Sequence, residues 1–169
     1  MRLAALFTLA AILALALQSG GLHWLPLGPL VPDLILILVV DLGLKHHSAG
    51  AALLAFAMGL ATDSLSGSRV GLNAFMVTLV FLLCYELSRH LWVASYGVAS
   101  ITVFFAVLIK DFGILAVTGS FQGLGSADPD MIRMVLTQAV MTAVAALLVL
   151  PLLDSGKRML RLPHQAERE

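Results

Sequence analysis

Residues 59–75 read GLATDSLSGSRVGLNAF: Asp63 and Arg69 stand among three glycines and three serines, between runs that are otherwise almost wholly apolar. Gly, Ser and charge clustered between apolar segments mark a connection. The flanking runs lack the period-two alternation of a lipid-facing strand, so each reads as a helix that keeps its backbone bonds to itself. A polar turn therefore joins two helices suited to lipid.

The whole chain fits that environment. Of its 169 residues, 60% are hydrophobic and 12% charged, and mean hydropathy is +0.98. Ten basic and ten acidic residues cannot clothe a soluble core of this size. A formal net charge of zero removes the basic excess that a nucleic-acid-binding face needs. The single cysteine, Cys84, permits no intrachain disulfide and leaves a zinc site without its usual thiolates.

A bilayer core of about 30 Å calls for roughly 20 apolar residues in a helix, with shorter segments tolerated when flanking residues reach the interface. Six segments qualify, near 3–18, 28–44, 48–65, 70–88, 92–118 and 130–153. The expected fold is an all-α integral membrane protein with six transmembrane helices. Residues 1–156 form its membrane domain and 157–169 a short basic, polar tail. Lysine and arginine set the orientation. With the amino terminus inside, Arg2, Lys45, Arg89, Lys157, Arg158, Arg161 and Arg168 are cytoplasmic and only Arg69 lies in an outer connection, as the positive-inside rule expects. Both termini are then cytoplasmic. The first segment reads as a retained helix rather than a cleaved signal, since Ala14-Leu15-Ala16 is a weak cleavage match and more membrane protein follows.

In this topology Asp33, Asp63, Arg69, Lys110, Asp111 and Arg133 all fall in the outer half. Asp33 follows Pro32, whose ring suits the first turn of the second helix. Ionisable groups in a membrane cost at least about 2.5–3.5 kcal/mol each, so they face the bundle interior and pair. Three acids and three bases are expected to form one neutral outer-leaflet cluster. It would fasten the helices, or line a solute pocket, or serve snorkelling and partner contacts.

On the third helix Ala51, Ala55, Gly59 and Asp63 recur every four residues, a small-residue face that lets another helix approach closely. On the inner side Asp41 with Lys45, and Glu86 with His90, stand at i,i+4 and read as pairs within their own helices that aid solvation. His46 and His47 are adjacent and point apart, so no metal site is expected. Cys84 reads as a core thiol, and Ser64, Ser66 and Ser68 have only Asp63 near them as a base. No catalytic, cofactor or metal residues are assigned. Trp24, Asn73 and Gln122 are loose candidates for binding a solute from outside.

At PDLILILVV (32–40) and then GLATDSLSGSRVGLNAF (59–75), the sequence resembles the rod shape-determining protein MreD family. The positions that carry the resemblance are Pro32, Asp33 and Leu34; Gly59, Leu60 and Asp63; and Gly71, Leu72, Asn73 and Ala74. Lys110-Asp111 maps onto no motif of that family.

The resemblance implies a non-enzymatic scaffold of the cell-elongation complex in the bacterial inner membrane, where side-wall peptidoglycan is made. It implies MreC as a binding partner, with MreB, RodA and its penicillin-binding transpeptidase further out, and no cofactor. It also implies a fold similar to the S component of energy-coupling-factor transporters. That likeness keeps a second function open: a solute-binding subunit of a vitamin transporter, with Asp33, Asp63 and Lys110 as ligands or gate. The Ala55–Gly59 face is expected to meet MreC.

Overall fold

The segment LILILVVDLGLK is apolar on every face except at Asp41 and Lys45, so a helix made of it must be surrounded by others. In the computed structural model it is. Residues 2–18, 31–46, 48–66, 71–90, 95–122 and 129–159 are described, and they form helices α1 (Arg2–Ala16), α2 (Leu34–Lys45), α3 (Ala49–Ser66), α4 (Leu72–His90), α5 (Tyr96–Gln122) and α6 (Pro129–Met159). Helix α2 is the axis, with every residue from Ile35 to Leu44 buried and each of the other five helices packed against it. Its 12 residues span only about 18 Å at 1.5 Å per residue.

Among the described residues, three helices contain stretches long and apolar enough to cross a membrane: 72–89, 96–118 and 130–158. The apolar parts of α1 and α3, Ala5–Ala16 and Ala49–Leu65, are shorter. Large apolar side chains on the outer faces, among them Leu9, Leu53, Phe75, Ile101, Leu148 and Leu152, are exposed, as suits a bundle solvated by lipid.

Several boundaries differ from those expected. The second apolar run was read from 28, yet α2 starts at Leu34, because the Asp33 carboxylate accepts the Leu36 N–H at 3.0 Å and acts as N-cap. Pro32 therefore precedes the cap instead of occupying the first turn. Its carbonyl accepts from the Gln18 side chain at 3.0 Å. At the other end of the chain, α6 continues past 153 to Met159. Lys157, read as the start of a polar tail, is a buried residue of its last turns. Apolar composition stops at Leu153, but the helix continues because the charges that follow find partners inside the bundle.

The pair α3–α4 is closely packed. A β-carbon on Gly59 would stand 2.5 Å from the Ala74 Cα, so only glycine permits this approach. Ala51 and Ala55 on the same face are buried too. The small-residue stripe is thus used within the chain, which overturns the expectation that it faces a partner. Gly71, with φ of 97°, makes the left-handed turn into α4 that other residues rarely adopt.

Candidate functional site

The buried charges gather at three places. At one end of α2, the Lys110 ammonium of α5 bonds the Asp33 carboxylate and lies 3.3 Å from Asp111 Oδ1. Asp33 also donates its backbone N–H to Thr142 Oγ1 of α6 at 3.1 Å, and Thr142 is fully buried. With Gln18 on Pro32, this node binds α1, α2, α5 and α6 together.

Beside it, Asp63 does something else. Its carboxylate accepts the backbone N–H groups of Gly71 (2.9 Å), Asn73 (3.1 Å) and Ala74 (3.1 Å). The first N–H groups of a helix have no partner of their own and present a positive dipole end, which a carboxylate satisfies on both counts. The last turn of α3 thus caps the first turn of α4.

Among the described residues, three of the six charges expected to cluster come together. Asp33, Lys110 and Asp111 meet; Asp63 is occupied by backbone; Arg133 is exposed on α6; and Arg69 lies outside the described residues. Arg133 fails to join because its position in the first turns of α6 turns it outward, whereas Met131 and Val135 border the α5 side.

At the opposite end of α2 lies a second cluster, whose members are far apart in the sequence. Lys45 Nζ is 2.7 Å from Asp41 Oδ1 and bonds both Asp154 oxygens at 2.8 and 3.0 Å. Lys157 bonds Asp41 and sits 3.5 Å from Asp154 Oδ1, and the Tyr96 hydroxyl donates to Asp154 Oδ2 at 3.2 Å. Lys157 Nζ also stands 5.1 Å from the centre of the Phe7 ring, whose edge contact with His46 has a centroid distance of 5.9 Å. Two acids and two bases cancel. The local Asp41–Lys45 pair exists, but it is half of a buried four-residue network and not a solvation device. A visible hint was Asp154 and Lys157 at i,i+3 directly after the apolar run.

The remaining candidates have ordinary roles. Glu86 is 3.7 Å from Arg89, both exposed, while the His90 side chain and Trp24 lie outside the described residues, as does the side chain of Gln122. The Ser64 hydroxyl donates to the Leu60 carbonyl at 2.9 Å, and Cys84 is packed in the core. Among the described residues, cavities between α5 and α6 include two of note. One, of about 300 Å³, is lined by apolar groups around Ser100, Phe104, Ala143 and Leu147. The other, of about 180 Å³, adjoins Asp111.

Among the described residues, an all-helical bundle with exposed apolar outer faces, helices long enough to cross a bilayer and charges paired inside is the architecture of a membrane protein. The chain belongs to the MreD family of rod shape-determining proteins, whose family model matches residues 2–154, from the first turn of α1 to Asp154 in the second charge cluster. No curated protein and no solved structure matches it.

Proposed function

We propose that the protein is a non-enzymatic scaffold of the cell-elongation complex that binds MreC and helps position side-wall peptidoglycan synthesis. MreB, RodA and its penicillin-binding transpeptidase are the further partners of this reading. The observation that carries it is the family match over residues 2–154, which takes in part or all of every helix. The site is consistent with it, because each buried cluster ties helices to one another and so makes a rigid body for others to pack on.

In this reading the chain sits in the bacterial inner membrane with six crossings and both termini cytoplasmic. The Asp41–Lys157 end then faces the cytoplasm and the Asp33–Lys110 end the outside, in accord with the distribution of lysine and arginine. Crossings by α1, α2 and α3 are short, and α2 is sheathed by protein rather than lipid. The surface for MreC is an exposed apolar helix face, since Ala55 and Gly59 are already packed inside the chain.

The rival reading, an S-component-like solute binder, calls for a cavity with several convergent polar groups. The two cavities between α5 and α6 are walled mainly by apolar side chains. Isolation of the tagged protein from its native membrane in mild detergent separates the two. Recovery of MreC is expected. A stoichiometric small solute in native mass spectrometry, with no MreC, would establish the transporter reading instead.

A further inference from the structure

Two contacts fix α1 at the same depth as α2. Near the start of α1 the Phe7 ring meets His46 edge-on, and just past its end the Gln18 side chain donates to the Pro32 carbonyl at 3.0 Å. From Arg2 to Gln18 the chain rises only about 24 Å along the helix axis. Between those polar residues its outward face carries Leu9, Ile12, Leu13 and Leu17, all exposed.

Helices α5 and α6 are level with α2 at one end and overshoot it at the other. At the Asp41 end Tyr96, which opens α5, and Lys157, in the last turn of α6, both bond into the same charge cluster. At the Asp33 end they meet α2 at Lys110 and Thr142, and both continue beyond it. The stretches from Lys110 to Gln122 and from Pro129 to Thr142 add about 18–20 Å of helix each. Their outward side chains include Phe112, Ile132, Met134 and Leu136, which are apolar and exposed, so this extension calls for acyl chains around it. Arg133, in its first turns, has the reach to place its charge among headgroups.

A flat bilayer cannot match both sides. Hydrocarbon of about 30 Å suits α6, whose exposed apolar residues run from Met131 to Leu152, about 32 Å, and it exceeds α1 by about 6 Å. The two helices are neighbours, so the step is abrupt. Tilting the bundle would only move the step to the Asp41 end, where the helices are level.

We propose that the outer face of α1 thins the bilayer beside it, in the leaflet on the Asp33 side, and so selects lipids with short acyl chains. A longer chain must compress there or carry hydrocarbon over the Gln18 amide, and each ångström of mismatch has a cost. A helix of another protein is a poorer fit. Ala11 and Ala14 are turned inward, and the exposed small residues Ala5, Thr8 and Ala16 never recur at the four-residue spacing that lets two helices approach closely.

The test uses the full chain carrying W24F and W92F, reconstituted in phosphatidylcholine, with one tryptophan introduced as L13W on α1 or L136W on α6. Quenching by brominated dioleoyl phosphatidylcholine is competed with dimyristoleoyl, dioleoyl and dierucoyl phosphatidylcholine. At L13W the short dimyristoleoyl lipid is expected to compete about twofold better than dioleoyl, and dierucoyl worse than either. At L136W dioleoyl should compete at least as well as dimyristoleoyl. L9W and M134W repeat the comparison if a member of the first pair does not fold. The same order of lipids on both helices, or no quenching on α1, overturns the proposal. MreC plays no part in this measurement, so the scaffold reading and the thinning can fail separately.

Discussion

The carboxylate of Asp63, at the end of α3, holds the N–H of Ala74 at 3.1 Å, in the same turn where Gly59 brings the two backbones together. One side chain thus closes the hairpin between two consecutive helices.

Replacing that carboxylate tests the closure. D63A leaves the N–H groups of Gly71, Asn73 and Ala74 without their acceptor, and a loss of about 3 kcal/mol is expected, between a strong N-cap and a set of charge-assisted bonds. D63N keeps one acceptor oxygen and should recover part of it. Unfolding in bicelles measures both, and an unchanged D63A would refute the capping role.

Gly59 gives a second test of the same contact. Alanine favours a helix interior by about 1 kcal/mol over glycine. Here the added methyl would meet the Ala74 backbone at 2.5 Å, and overpacking of this kind costs about 1–3 kcal/mol. G59A should therefore destabilise, and G59L more so. A more stable G59A would mean that α3 and α4 are further apart than described.

The Asp41–Lys157 pair is buried on both sides, with 1% and 3% of the residues exposed. Removing one partner unbalances the four-residue network, and D41L or K157M alone should cost about 3–5 kcal/mol. The double variant D41L/K157M should recover much of that loss, since apolar groups can replace a buried pair. A double-mutant cycle reports the difference, and additive effects would show that the two groups do not interact.

Thr142 supports the other node. T142V preserves shape but leaves the Asp33 N–H without its acceptor, and a loss of about 1–3 kcal/mol is expected, whereas T142S should be close to neutral. Thermal unfolding of the two variants side by side gives the contrast, and equal midpoints would dismiss the bond.

Much of the fold was legible because lipid makes the apolar runs stand out, and all six expected segments overlap observed helices. The use of the charges was harder to read. Asp63 stands out in the sequence as a charge in a polar turn, yet the unsatisfied N–H groups of α4 that its carboxylate accepts are invisible in composition. Asp154 lay one residue past the point where the apolar count ended, so its contacts with Lys45 and Tyr96, far away in the chain, left no local mark. Conversely, Asp33 and Lys110 were brought together correctly by the cost of burying either alone.

Helix α2 emerges from the ribosome long before α6, and its Asp41 must wait for Lys157, 116 positions later. During that interval Lys45 of the same helix balances the charge, but a short helix whose Asp41 and Lys45 still lack their α6 partners is poorly held in a bilayer. Nascent chains halted ahead of α6 should therefore linger at the insertion machinery and be cleared by membrane proteases, and only synthesis of the last turns of α6 would release the protein to its assembly.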